Sequence, residues 1–386
     1  MSNTKTNKIK IVDLFSGVGG LTFGFYYKCV KNKFVRNNVF KIIFANDFDI
    51  SASEAFTKNY PNIKMLNTSI ENIDIDYLKD NKIDISDVDV IIGGPPCQSY
   101  STVGKRENDD RSKMYIEYRR LLDIIKPKMF IFENVLGILS FKTDEGKKII
   151  DIISQEFDQL GYKVEKQILN AKNYGVPQNR LRVFLVGTRK DLNLSWNFPV
   201  ALESQEISLR DAINDLPPVR QKEHVENYFT QPQTSYQELM KGTSSKLNDH
   251  YCGTYGHRIT SIISNLEMGE SHTDINRKVN EGLLSKDLFL SSGYHNSYGR
   301  LWWDKPSSTI TNNFGTPSAI RCIHPEQNRA LTIREAARIQ SFPDNFIFIG
   351  NKAQKSSQIG NAVPPLLAIH LASEVEKTIR GVTDGE

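Results

Sequence analysis

The run whose residue types and spacing best suit covalent chemistry is Gly93-Gly94-Pro95-Pro96-Cys97-Gln98-Ser99-Tyr100-Ser101. Two prolines stiffen a turn directly after an apolar stretch that reads as a strand. They present one thiol at the strand's end, and a thiolate is a strong nucleophile once local positive charge lowers its pKa. A lone cysteine is more often a small buried hydrophobe; the Pro-Pro frame weighs against that here. Glu133-Asn134-Val135 closes the next apolar run. Its carboxyl could hold or donate a proton if burial raises its pKa, or could be an ordinary solvated strand end. In Gln178-Asn179-Arg180-Leu181-Arg182 the two arginines alternate and so share one strand face. Such a pair suits phosphate or a polarised base oxygen, or is plain surface charge.

A second group could hold a nucleoside. Asp13-Leu14-Phe15-Ser16-Gly17-Val18-Gly19-Gly20 reads as a strand, a glycine turn and the start of a helix. Glycine permits positive φ and close approach of backbone to a ligand, and a helix start offers free N–H groups. A tight turn with no ligand has the same pattern. Asp47 follows the second strand, where a carboxylate can accept from two ribose hydroxyls, although with Asp49 it could also be a polar strand end. No GxxxxGK[ST] occurs, so the phosphate-binding lysine of a P-loop is missing. Ribose without phosphate suits an adenosine cofactor.

Alternating elements must position these residues. Lys8–Phe15, Phe40–Asn46, Val88–Ile92, Lys128–Phe132 and Val183–Val186 read as strands. Leu21–Val30, Ser51–Asn59 and Lys147–Leu160 read as helices. The alternation predicts an α/β fold with a parallel sheet, and ligands at the carboxyl ends of its strands. After about Asp191 the pattern turns irregular and polar. Order returns with a helix over Thr332–Ser341, capped by Thr332, and a last helix over Leu366–Ile379 behind Pro364-Pro365. We expect a catalytic, cofactor-binding domain over 1–190 and 351–386, and a smaller domain over 191–350. The 386 residues carry 49 Lys+Arg against 45 Asp+Glu, a surplus of +4 that permits a polyanionic partner without demanding one. The four cysteines, Cys29, Cys97, Cys252 and Cys322, are too scattered for a zinc site or a disulfide framework. With no apolar leader or long apolar run, a reducing, cytoplasmic setting is expected, and no metal.

Taken in order, these segments resemble the cytosine-C5 DNA methyltransferase family. The matches are DLFSGVGGLTFGF from Asp13, ANDFD from Ala45, GGPPCQSYS from Gly93, ENV from Glu133 and QNRLRVFLVG from Gln178. RALTIREAARIQSFPDNF from Arg329 and QIGNAVPPLLA from Gln358 complete them, so the resemblance spans nearly the whole chain. PPCQ is the most specific, because amino-group methyltransferases carry (D/N)PP(Y/F) there, without the thiol.

The resemblance implies a Rossmann-like fold that binds S-adenosyl-L-methionine, with a smaller target-recognition domain. Cys97 should attack C6 of a flipped-out cytosine, Glu133 should engage N3 and the exocyclic amine, and Arg182, with Arg180 beside it, should sit near the base. Phe15 and Phe48 should pack on the adenine and Asp47 should hold the ribose. Gly17, Gly19, Gly20, Ser69, Pro95, Asn361 and Ala362 should line the same pocket. Ser69 departs from the family, which often has an acidic residue there. Gln98, Ser101 and Arg111, in a segment resembling the family's closing loop, and Arg258 and Arg300 in the smaller domain should touch double-stranded DNA, bound by a monomer. A restriction endonuclease is the implied genetic partner. An RNA methyltransferase of the same family is a competing reading; its tRNA branch carries Cys-Phe-Thr, whereas this chain has Tyr251-Cys252-Gly253. A DNA-binding regulator with a dead site is another, opposed by the intact Cys97, Glu133 and Arg182.

Overall fold

The computed structural model describes residues 7–96, 114–143, 145–203 and 206–381. The first half runs β1 (Ile9–Leu14), α1 (Gly20–Tyr26), β2 (Tyr27–Val30), β3 (Lys33–Arg36), β4 (Phe40–Asp47), α2 (Ile50–Asn59), β5 (Lys64–Asn67) and α3 (Ile75–Asp80). It continues with β6 (Val90–Gly93), α4 (Met114–Ile125), β7 (Met129–Val135), α5 (Ile149–Gln159), β8 (Tyr162–Asn170) and β9 (Leu181–Arg189). Short helices α6 (Leu209–Ile213), α7 (Ser235–Lys241), α8 (His257–Ser264) and α9 (His272–Asn280) punctuate an irregular stretch. The chain closes with α10 (Ile333–Ile339), α11 (Lys352–Asn361) and α12 (Pro365–Arg380).

Seven strands form one sheet in the order β5-β4-β1-β6-β7-β9-β8. Five are joined by parallel pairing, as expected from the alternation, and β8 runs the same way, but β9 between β7 and β8 is antiparallel to both. The cause is the short link 171–180, which contains only a 3-10 turn at Ala171–Tyr174. A parallel return needs a crossover of about a dozen residues or more, usually helical.

Side-chain alternation along β1 divides the core. Ile9 and Ile11 belong to the apolar cluster that holds α1, α2 and α12, whereas Val12 and Leu14 join the cluster under α3, α4 and α5. The first cluster continues through Leu209, Tyr236, Ile310, Ile333 and Phe342, so much of the irregular segment shares the sheet's own core. A separate small cluster (Ile262, Leu266, Ile275, Val279, Leu288, Leu290 and Tyr298) lies around α8 and α9. α10 lies in the first cluster, against α6 and α11. Thr332 and Glu335 form its capping box, and every residue from Ile333 to Ile339 is buried. Its charged groups are paired inside: Arg338 with Asp215 and Asp344, and Glu335 with Arg329 at 2.7 Å. Arg334, buried on the same helix, is held instead by the carbonyls of Asn248, Pro343 and Phe346.

Two local expectations are corrected. The helix expected over Leu21–Val30 stops at Tyr26, and Tyr27–Val30 pairs instead with Lys33–Arg36. Lys31 and Asn32 both take positive φ, the geometry of a two-residue hairpin turn. β5, β8 and α4 were not anticipated, because β5 is four residues long and β8 is half-exposed and polar. No helix among the described residues is long and apolar enough to cross a membrane.

α1 and α12 meet at Gly24, where a Cβ would lie 2.1 Å from the carbonyl carbon of Ala368. The helices touch backbone to backbone there. Gly24→Ala should therefore destabilise the protein by about 1–3 kcal/mol through overpacking. Urea unfolding would measure this, and a variant as stable as the wild type would refute the close approach.

Candidate active site

The register gathers the loops after residues 14, 47, 67, 93 and 135 at one edge of the sheet. Leu14 pairs with Asn46 and with Gly93, Gly93 with Phe132, and Asp47 with Asn67. Because β9 is antiparallel, its first residues reach the same edge, with Arg182 opposite Val135 and Phe184 opposite Glu133. Arg182 and Glu133 are thus diagonal neighbours on one face, within side-chain reach. Arg182 Nε lies 3.0 Å from Glu133 Oε1. Glu133 is buried, and burial raises its carboxyl above the usual range against the opposing pull of Arg182 and then Arg180. A Cβ at Gly94 would sit 2.7 Å from Glu133 Oε2, and Asn134 Nδ2 donates to Pro95 O at 3.4 Å. The turn that leads into Cys97 therefore rests against the acid. Cys97 itself lies outside the described residues, as do Gln98, Ser101 and Arg111.

The glycine turn follows β1. Phe15, Gly17 and Gly19 take φ values of 55°, 54° and 86°. Phe15 is the costly one, since non-glycine residues, bulky ones above all, rarely adopt this region. Nothing lies within 4 Å of a Cβ built on Gly17, leaving the backbone open to a ligand. Gly19 has no such room: its Cβ would fall 2.5 Å from the ring of Tyr60, whose hydroxyl donates to Gly19 O at 2.7 Å. Gly20 faces the loop after α11, where a Cβ would meet Val363 O at 2.4 Å. Asp47 accepts from Gly17 N through Oδ2 (2.8 Å) and from Asp49 N through Oδ1 (2.9 Å), and burial raises its pKa. Each oxygen keeps a second lone pair, so the carboxylate can still accept two hydroxyls. Phe48 beside it is 69 % exposed, although it is a large apolar side chain at the end of a buried strand. Ser69 precedes the 3-10 turn Ile70–Asn72 and its hydroxyl donates to Glu71 Oε2 at 3.3 Å. Open backbone, an acceptor pair and an unpacked aromatic ring at one rim fit an adenosine.

Asn361 ends α11, exposed, with its amide on Ser357 Oγ at 3.0 Å, and Ala362 follows it. Arg180 is fully buried and donates to Ile310 O (2.9 Å), Gly360 O (2.8 Å) and Ala362 O (2.9 Å). Its guanidinium is spent on the scaffold, which corrects the expectation that it faces a substrate alongside Arg182. Gln178 and Gln340, which sequence reasoning missed, extend this network. Gln178 binds Gln340 and accepts from Ile310 N at 2.8 Å, and Gln340 Nε2 reaches Ala362 O at 2.7 Å. Both are fully buried amides. Gln178 lies in the polar run Gln178-Asn179-Arg180, so no local signal marked it as a buried amide.

The smaller region corrects one DNA-contact expectation outright. Arg300 is buried and donates to the carbonyls of Leu266, Ile263 and His324 at 2.8–2.9 Å, so it organises a core and reaches no surface. His250 is likewise interior, between Thr332 Oγ1 and Pro217 O. Arg258 is exposed, but its guanidinium holds Asp287 O and Phe289 O, both at 2.9 Å.

Asp13, on the face of β1 toward α1, binds the Thr22 hydroxyl. Burial pushes this carboxyl up to about 7, against the Thr22 hydrogen bond, with Asp47 adding a smaller push. The unfolded chain gives up the proton near 3.8 and the folded chain near 7. Between these values the folded form holds more protons, so stability falls as pH rises across that window and levels off above it. Asp13→Asn should flatten the decline, which thermal denaturation from pH 5 to 8 would record. An equally steep decline in the variant would remove Asp13 as its source.

Comparison with known proteins matches this geometry. Residues 9–377 match the model of the C-5 cytosine-specific DNA methylase family. The chain is 36 % identical over 383 residues to the Type II methyltransferase M.DdeI of Desulfomicrobium norvegicum, covering 95 % of this chain and 88 % of that one. It is 35 % identical over 379 residues to the Type II methyltransferase M.MthTI of Methanothermobacter thermautotrophicus, covering 96 % and 98 %. In fold it is similar to a prophage-encoded E. coli protein assigned as a DNA modification methyltransferase (TM-score 0.75, 23 % identity, 97 % and 100 % covered). The Dnmt2 methyltransferase of S. pombe is a more distant fold match (TM-score 0.58, 14 % identity, 97 % and 100 % covered). A match over nearly the whole chain, with the buried acid and its arginine at one rim, makes this protein a member of the C-5 cytosine-specific DNA methylase family.

Proposed function

We propose that the protein transfers the methyl group of S-adenosyl-L-methionine to carbon 5 of a cytosine flipped out of a specific double-stranded DNA sequence. The observation that carries this reading is Glu133, buried, paired with Arg182 and packed against the turn that leads into Cys97. The flip itself costs a few kcal/mol, which contacts to the DNA must offset.

Carbon 5 of cytosine is a poor nucleophile. Cys97 makes it one by bonding to C6, which pushes ring electrons toward C5 and N3. Glu133 meets the charge that develops at N3, and its raised pKa favours the protonated form that can donate there. Arg182 fixes the carboxyl's orientation and faces the base O2. Phe15 and Phe48 would flank the adenine, Asp47 the ribose, and Gly17 and Asn361 the methionine end, with Ser69, Pro95 and Ala362 at the margins. The bound cofactor supplies an electrophilic methyl group on a sulfonium. Loss of the C5 proton then lets Cys97 leave by elimination, restoring the aromatic ring.

The region 191–350 would read the major groove, with exposed Tyr251, His257, Tyr294 and His295 as contacts and the protein acting as a monomer. Likeness to Type II methyltransferases supports a role in protecting DNA from a cognate restriction endonuclease.

Cys97→Ser should lower methyl incorporation by about 10³-fold or more, as removal of a nucleophile does elsewhere. The wild type should release tritium from 5-tritiated cytosine in DNA; product confined to N4-methylcytosine or N6-methyladenine would exclude the chemistry. Glu133→Gln should lower kcat about 10²–10⁴-fold, the range for a lost general acid. Single-turnover kinetics at saturating DNA would measure it, and a loss under tenfold would take the proton from Glu133 and give it to another group.

A further inference from the structure

The charge of this chain is unevenly divided. Residues 191–350, the region proposed to read DNA, hold 15 Lys+Arg against 18 Asp+Glu, whereas the rest of the chain holds 34 against 27. Four of the arginines in 191–350 (Arg300, Arg329, Arg334 and Arg338) are also buried. A surface with that balance can read base edges through polar groups, but it is poorly suited to neutralising phosphates. The phosphate grip must come from elsewhere.

The segment that leaves the rim after β7 offers one candidate. After β7 delivers Glu133 and Val135 to the rim, a 3-10 turn (Leu136–Leu139) leads into a tight reversal before α5. Thr143 N donates to Lys147 O at 2.9 Å, Gly146 N to Thr143 O at 2.8 Å, and Ile149 N to Phe141 O at 3.1 Å. This reversal sets Lys142 and Lys148 directly opposite each other as an antiparallel bridge pair. Like charges across such a pair repel. Both lysines are exposed, and among the described residues neither forms an ion pair, whereas Lys147 between them pairs with Glu145 at 3.0 Å. Two lysines set opposite each other, without an ion pair among the described residues and in the segment that follows β7, suit an external polyanion.

We propose that Lys142 and Lys148 clamp the sugar–phosphate backbone of the DNA duplex beside the flipped cytosine. The catalytic side of the protein, and not the region 191–350, then supplies the salt-sensitive part of DNA affinity. This rests on the methyltransferase reading above and adds to it which surface grips the duplex. The clamp carries no sequence information, since phosphates are the same at every step.

The test is the salt dependence of binding to a duplex of about 30 base pairs of arbitrary sequence, followed by fluorescence anisotropy from about 50 to 200 mM NaCl. Lys142→Gln combined with Lys148→Gln should reduce the slope of log K against log[salt] by about 1.8, or about 0.9 for each phosphate no longer neutralised. Lys142→Arg with Lys148→Arg should retain the wild-type slope. Arg220→Gln with Lys222→Gln, an exposed basic pair in the other region, should also leave it unchanged. An unaltered slope in the Lys142/Lys148 glutamine variant, or an equal reduction in the Arg220/Lys222 variant, would overturn the clamp. Methyl incorporation by the wild type, measured separately, tells this failure apart from failure of the function itself: an active wild type with an unchanged variant slope sinks the clamp alone.

Discussion

The architecture of this site depends on one buried cation. The guanidinium of Arg180 has no carboxylate in bonding reach among the described residues and is held by three carbonyl oxygens from two distant segments. Removing such a group from water is costly unless most of its donors find acceptors. Those acceptors belong to Ile310 and to Gly360 and Ala362, so the same bonds that stabilise the charge draw the strap from the irregular region and the end of α11 onto the start of β9. Two residues later β9 places Arg182 against Glu133. Gln178 and Gln340 add amide hydrogen bonds to the same junction, while the Nε of Arg180 stays buried with no partner among the described residues.

That junction explains how a rim assembled from remote segments keeps a fixed geometry. The glycine turn, the loop after α11 and the two strand ends at Glu133 and Arg182 all meet where the sheet ends. Backbone at Gly20 leaves no space for a side chain, and one at Gly94 would displace the Glu133 carboxyl. Close packing of this kind lets one ligand touch several elements without any of them moving far.

The electrostatics of the rim have a common cause. Asp13, Asp47 and Glu133 all have raised pKa values, and in each case burial is the largest contribution. Only Glu133 has arginines opposing the shift. Burial favours its protonated form, while the arginines favour the carboxylate. Asp47 is held instead by backbone N–H groups, which suit a carboxylate that accepts hydrogen bonds and stays put.

The sequence by itself determined much of this protein. Strand-end placement of Gly17, Asp47 and Glu133 follows from apolar runs closed by turn residues, because hydrophobic periodicity and turn chemistry are local. Thr332 was legible as a cap for the same reason, and its capping box with Glu335 is present. What only the tertiary structure decided depends on long-range partners. Whether an arginine is a ligand contact or a scaffold group depends on which carbonyls surround it, and Arg180 and Arg300 both proved to be scaffold. The reversed direction of β9 came from the length of a link, and the role of Gln178 from a residue 162 positions away. Composition and periodicity place a residue on an element, but burial among distant segments decides what its polar atoms are free to do.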